Sequence, residues 1–298
     1  MDEELCPLWA PDGSPEVLDG AWFGIYDADA PLVEIELHES MPPVAIAQGL
    51  GQTKFGTARF VWNSAVRLSR CLAGLMLRQA SSDPPGTSAA PLLAFELGSG
   101  TGVCAAALAL ALRSVARPCE VLATDLPQSL PLLVNTARRN RLEGVLRPAV
   151  LDWNEALAAA RACSETAFDR HDFDIGASGA EASWPQLASA DLIFGADITF
   201  SAPLRRLVLE LLVRACSAGA VAILAHEDRD DQVDLRSALE VALAGEDIRW
   251  AELDELEGGG GGAQDVLIFV FAAADCAKLR PGGVLSSLGQ MLQGRWLE

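Results

Sequence analysis

The stretch FELGSGTG, Phe95 to Gly102, decides how the rest of the chain reads. It ends an apolar run, LLAFEL (92–97), and opens an Ala/Leu-rich segment from about Val103. The first reads as a buried strand and the second as a helix. Gly98, Gly100 and Gly102 therefore occupy a strand-to-helix turn. Glycines there let the backbone approach a ligand closely, and the helix N-terminus offers free N–H groups. Such a turn alone does not separate a nucleotide from another adenosyl ligand. The spacing is GxGxG, not the GxGxxG of dinucleotide folds. Glu96, two residues before the first Gly, is an awkward neighbour for a phosphate. Beside an amino-acid moiety, a carboxylate can hold an ammonium group, directly or through water.

Downstream, strands and helices alternate. EVLATD (120–125) reads as a strand, followed by a helix from about Gln128 to Asn140 with Pro131 in its first turn. RPAVLDW (147–153) is a third strand, and the polar 164–189 stretch a loop insertion. ADLIFGAD (190–197) and AVAILAHE (220–227) are the fourth and fifth strands, with helices at 203–216 and 233–244. IRWAELDEL (248–256) and QDVLIFVF (264–271), joined by GGGGG (258–262), predict an antiparallel hairpin at the sheet edge. Upstream, SSDPPGTS (81–88) is a loop, and Val61, Ala65, Leu68, Leu72 and Leu75 recur at helical spacing. PLVEIELH (31–38) and PVAIAQGL (43–50) form a hairpin, the first 30 residues are irregular, and 275–298 is a partly helical tail. The pattern predicts an α/β fold with a doubly wound, mostly parallel sheet.

Carboxylates close three of these strands. Asp125 can accept hydrogen bonds from both hydroxyls of a ribose, or cap the next helix. Asp152-Trp153 offers a flat ring to an adenine, unless Trp153 only fills the core. Asp197-Ile-Thr-Phe200 closes the fourth strand, where open α/β sheets bind ligands, with a helix cap as the alternative for Asp197.

Composition narrows the partners. The 298 residues carry a formal charge of −19, with 41 acidic and 22 basic side chains. That balance argues against nucleic acid or an anionic membrane, which need clustered Lys and Arg. Residues 1–53 hold 11 carboxylates and no Lys or Arg, and residues 225–257 hold 12 against 3 Arg, so the middle is nearly neutral. Both blocks read as solvated surface or as an acidic rim. The longest apolar stretch, Val103 to Leu112, is too short to span a bilayer, and MDEEL resembles no targeting signal. A cytoplasmic location is expected, with a nuclear one also open. The seven Cys (Cys6, Cys71, Cys104, Cys119, Cys163, Cys216, Cys276) are widely spaced, without CxxC, and read as buried free thiols. His38, His171 and His226 form no metal-binding pair.

Taken in order, these motifs resemble the family-16 (methyltransferase-like 21 type) protein-lysine methyltransferases of the seven-stranded S-adenosylmethionine-dependent class. The resemblance runs from about Phe60 to Phe271. It rests on a Trp-led helix, VWNSAVRLSRCL (61–72), the E-L-G-x-G-x-G turn, Asp125 followed by a helix with Asn135 and Asn140, the Asp152-Trp153 pair, and Asp197 to Phe200. It implies a seven-stranded Rossmann-like sheet with an antiparallel terminal hairpin and an N-terminal β-hairpin extension. It implies three parts, 1–59, the methyltransferase domain 60–274 and a tail 275–298. Trp62, Glu96, Gly98, Ser99, Gly100, Thr101, Gly102, Asp125, Leu126, Asp152, Trp153 and Ala196 are the implied cofactor residues, with Asp197 and Phe200 at the acceptor. The implied cofactor is S-adenosyl-L-methionine, and the implied partner a protein with a target lysine. Asn63 departs from the Asp that often follows the leading Trp. A small-molecule methyltransferase and a cofactor-binding protein without turnover are the alternatives. A dinucleotide dehydrogenase is disfavoured by the GxGxG spacing.

Overall fold

The computed structural model describes residues 31–49, 53–82, 91–163, 181–227, 235–253 and 266–296. The irregular first 30 residues, most of the 81–88 loop, the front of the 164–189 insertion and the glycine run 258–262 lie outside the described residues.

Seven strands form the main sheet: β3 (Leu92–Leu97), β4 (Cys119–Asp125), β5 (Leu146–Val150), β6 (Leu192–Ala196), β7 (Val221–Glu227), β8 (Ile248–Leu253) and β9 (Val266–Ala273). Their order is β5-β4-β3-β6-β7-β9-β8. Only β9 is antiparallel to its neighbours. The expected terminal hairpin is present, but its last strand wedges between β7 and β8, so β8 is the edge strand. Pro148, which cannot donate to a ladder, sits on the opposite edge strand β5. The strand order reverses at β3, so the turn after β3 opens at the switch point where such sheets bind ligands.

Helices cover both faces. On one lie α1 (Asn63–Ser82), α2 (Val103–Ser114) and α3 (Leu130–Arg139). On the other lie α4 (Trp153–Ala162), α5 (Trp184–Ala188), α6 (Ala202–Ser217) and α7 (Leu235–Leu243). Ten of the twelve residues of α2 are buried, because α1 packs over it while β4 lies beneath. A helix apolar all round is the sequence form of that position.

The sequence reading missed α4 and α5. It ran the third strand on to Trp153 and treated 164–189 as loop. The strand stops at Val150, and the Asp152 side chain caps α4 by accepting from the N–H groups of Asn154 (2.7 Å) and Glu155 (3.4 Å). Ser183 and Gln186 close a capping box that starts α5.

The separate hairpin, β1 (Leu32–Ile35) with β2 (Val44–Ala47), turns Val33, Ile35, Val44 and Ile46 into the core. It is fastened to the end of α3 by Asn140, whose amide exchanges two 2.9 Å bonds with the backbone of Ala45. At the other end of the chain, α8 (Ser286–Met291) packs on α1. Leu285, Leu288 and Leu292 are buried there, and the Gln79 amide bonds Ser286 Oγ (3.1 Å) and Ser287 N (2.9 Å). This C-terminal helix thus belongs to the core. Cys71, Cys104, Cys216 and Cys276 are buried free thiols, whereas Cys163 is exposed and Cys119 half-buried.

Candidate functional site

Three motifs far apart in sequence meet at Gly98. A Cβ added there would lie 2.8 Å from Ile198 Cγ2 and 3.1 Å from Trp153 Cζ2. The Gly-rich turn, the Asp-Trp pair and the Asp197–Phe200 turn therefore touch at the carboxyl ends of β3, β5 and β6. Gly98 and Gly100 take φ of +61° and +52°, which side chains other than glycine adopt only with strain. Both are half-buried, whereas Ser99, Thr101 and Gly102 between and after them are buried.

Asp125 is tied to this turn. Its Oδ2 accepts from Gly100 N and its Oδ1 from Leu126 N, each at 2.7 Å. Burial pushes its pKa up, and those two bonds, with one from Ser129, oppose the shift. The alternative of a helix cap does not describe it, since its carboxylate spans the glycine turn. Leu126 beside it is 42% exposed, an apolar surface at the mouth of the crevice.

Beneath the turn sits Glu96, 2% exposed. Its Oε2 accepts from Ala105 N at 3.0 Å in the first turn of α2. Burial raises its pKa to about 8, hydrogen bonds from Ser99, Cys104 and Ala105 pull against that, and Asp125 adds repulsion. Thr124 Oγ1 donates to the Glu96 carbonyl, and Thr136 Oγ1 to the Thr101 carbonyl at 2.6 Å. Ser99 N donates to Thr124 O at 2.9 Å. The structure thus uses Glu96, Ser99 and Thr101 as the frame of the turn.

The segment 53–59, a short 3₁₀ stretch, lies against the outer side of the same turn. A Cβ on Gly100 would lie 3.3 Å from Ala58 O. Half-buried Trp62 pins the segment through Nε1–H to Thr57 O at 3.2 Å. Arg59 is 7% exposed, its guanidinium carbon 4.6 Å above the Phe60 ring and its Nε without a hydrogen-bond partner. Burial lowers its pKa.

Asp197 follows β6 with φ +53°, the left-handed region that a carboxylate residue seldom enters. Its N–H donates to Ala225 O on β7 at 2.8 Å. The cap of α6 is Ser201, so Asp197 is not the helix cap that the sequence left open. Ile198 is buried against Gly98, and Phe200 and Ala196 are half-buried. Asp152 turns out to spend its carboxylate on α4, and only Trp153 of that pair reaches the glycine turn.

Sequence reasoning missed Thr199, His226 and Arg59. Thr199 Oγ1 and His226 Nδ1 are hydrogen-bonded at 3.0 Å, both buried. The signal was two polar residues, His226 and Glu227, ending an otherwise apolar strand. Among the described residues, no three His, Cys, Asp or Glu side chains gather as metal ligands. No helix among them is long and apolar enough to cross a membrane.

The sheet order gives a mostly parallel, seven-stranded α/β sheet with one antiparallel strand, and the glycine turn lies at its switch point. Residues 42–173 match the family model described as lysine methyltransferase. That span includes Trp62, the Glu96–Gly102 turn, Asp125 and Asp152-Trp153, and stops before Asp197. Solved structures with a similar arrangement include an O-methyltransferase family protein from Burkholderia thailandensis, at 14% identity and TM-score 0.40, over 74% of this chain and 62% of that one. The CMeT domain of the citrinin polyketide synthase matches at 16% and 0.46, over 70% of this chain and 52% of that one. A TehB-like SAM-dependent methyltransferase from Corynebacterium glutamicum matches at 16% and 0.36, over 67% and 87%. The chain thus spans less than two thirds of the first two structures. No curated protein matches it.

Proposed function

We propose that this chain transfers a methyl group from S-adenosylmethionine to the side-chain amine of a lysine on a partner protein. The observation that carries the reading is the meeting of the three motifs at Gly98, inside a region matching the lysine methyltransferase family. The residues fit the cofactor. Gly98 and Gly100 pack so closely on Ile198, Trp153 and Ala58 that a Cβ has no room, which leaves the turn with bare backbone to offer a cofactor. Asp125 has lone pairs beyond its two backbone bonds for ribose hydroxyls. Trp153 and Leu126 offer apolar surface to an adenine, with Trp62 and Ala196 at the border. Arg59 offers its unpaired Nε to the cofactor's carboxylate. Glu96 acts from beneath, holding the turn in shape through Ala105 N.

The cofactor supplies an electrophilic methyl group on a sulfonium sulfur. The protein must present an amine with a free lone pair. Asp197 orients that amine by accepting a hydrogen bond, and Phe200 forms an apolar wall that tolerates a methylammonium product. A carboxylate alone raises a lysine pKa, so exclusion of water must favour the neutral amine. Holding the two reactants in line replaces a bimolecular encounter, worth up to about 7–11 kcal/mol in the best intramolecular cases. The charge of −19 supports a basic protein as acceptor over a nucleic acid. We read 60–274 as the catalytic unit, 1–59 as its extension and the remainder as a tail folded back on α1, working in the cytoplasm or nucleus.

Labelled cofactor incubated with the protein and a cell extract, followed by mass spectrometry of the labelled species, identifies the acceptor. With that acceptor, Asp197→Ala abolishes turnover and leaves cofactor affinity nearly intact. Asp125→Ala weakens cofactor affinity by about 1.5–3 kcal/mol, the value of a hydrogen bond to a charged group. A fully active Asp197→Ala, or equal affinity of Asp125→Ala and wild type in calorimetry, rejects the corresponding role.

A further inference from the structure

We infer that Thr199 and His226 are positioning residues, which with Arg205 hold the Asp197–Phe200 turn in the shape the methyl acceptor requires. This rests on the proposed lysine methyl transfer. The turn is gripped from two elements. From β7, Ala225 O takes the Asp197 N–H at 2.8 Å, and the next residue, His226, bonds Thr199 Oγ1 through Nδ1 at 3.0 Å. From the first turn of α6, Arg205 Nε donates to the Thr199 carbonyl at 3.1 Å. Thr199, His226 and Arg205 are 1%, 2% and 5% exposed, so none of these bonds competes with bulk water.

The arrangement is costly for a merely structural purpose. Packing alone is met by apolar residues of similar shape, without desolvating an imidazole, a hydroxyl and a guanidinium. A directional bond at this spot fixes something that packing leaves loose. What it fixes is a backbone that would otherwise relax, since Asp197 is held at φ +53°. Ile198, between the two anchors, presses on Gly98 and Gly195. Release of Thr199 therefore lets Asp197 and Phe200 move together with respect to the glycine cradle. The cradle itself hangs on Glu96, Thr124 and Asp125 and stays put.

The test compares Thr199→Val, which keeps shape and removes the hydroxyl, with Thr199→Ser, which keeps the hydroxyl. Thr199→Val lowers kcat on the order of tenfold to a hundredfold, as a small misplacement of reacting groups does. Its cofactor affinity stays within about twofold, because the binding groups are untouched. Thr199→Ser retains most of the activity. His226→Phe costs at least as much as Thr199→Val, and the double variant costs less than the sum of the two, since both remove the Thr199–His226 bond. A crystal structure of Thr199→Val shows Asp197 leaving φ +53°. Wild-type kcat in Thr199→Val, equal losses in the Val and Ser variants, or additive losses in the double variant overturns the proposal. If the wild type methylates no protein, the function fails first. The Asp197 backbone in the Thr199→Val crystal then decides the positioning claim alone, and an unmoved turn rejects it.

Discussion

A methyl group at Gly98 would enter space already held by Ile198 and Trp153, on a backbone at φ +61°. Gly98→Ala therefore costs about 1–2 kcal/mol for the left-handed conformation alone, and the clash adds to it. Expected are a lower urea midpoint and cofactor binding lost below detection by calorimetry; wild-type affinity in a folded variant contradicts the close approach. Glu96 gives a prediction with a sign. Its pKa rises from the ordinary 4.5 to about 8 on folding, so the native state keeps a proton that the unfolded chain sheds. The stability contributed is full below about pH 4.5 and is lost as the pH climbs through about 8. Glu96→Gln mimics the protonated form. Its stability relative to wild type should rise between those limits and level off above, as read by urea titrations; a constant difference refutes the buried-acid assignment. The places of Asp125 and Asp197 at strand ends were legible in the sequence because each closes a short apolar run. Glu96 was legible as unusual, yet its frame-holding bond to Ala105 was not, because it depends on how α2 seats on β3. Thr199 was invisible, since its partner lies on a strand 27 residues away.

At the scale of elements, the C-terminal helix is the clearest case of structure exceeding sequence. The stretch from 275 onward read as a tail, but Leu288 and Leu292 are buried against α1 and its neighbours. Leu292→Ala should destabilise the protein by about 2–5 kcal/mol, the usual cost of a leucine deleted from a packed core. Denaturant unfolding checks this, and a loss near zero would mean that the helix is peripheral. The helices α4 and α5 went unread for a related reason. Only Ala156, Leu157 and Ala160 of α4 are buried, too few to impose a helical period on a short Ala-rich stretch. α5 spans five residues inside a polar region, below the length at which periodicity is visible. The central strands β3, β6 and β7 were legible because each is a short apolar run with nearly every side chain buried. The place of β9 was not, because hairpin signals fix which strands pair but not which of the two faces β7.

For the whole molecule, the charge of −19 bears on encounter rather than on fold. On the proposed function, the net negative charge draws a basic acceptor protein, and salt screens that attraction over about 8–10 Å at physiological ionic strength. Raising salt from about 0.05 M to about 0.5 M should lower kcat/KM for the protein acceptor while kcat stays nearly constant. Salt-independent kcat/KM would leave the carboxylates as solvated surface only. The antiparallel strand between β7 and β8 has a consequence of another kind, in time. The residues that fill this slot come last in the sheet, so a chain emerging from the ribosome makes β7 and β8 before the strand that joins them exists. Until then β7 carries unpaired N–H and C=O groups along one side, on a strand whose seven residues are all apolar except His226 and Glu227. The sheet closes only once β9 has emerged, and a nascent chain stalled before that presents a template for pairing with other chains. The Asp197–Phe200 turn, held through Ala225 and His226, is thus secured only after β9 has joined the sheet.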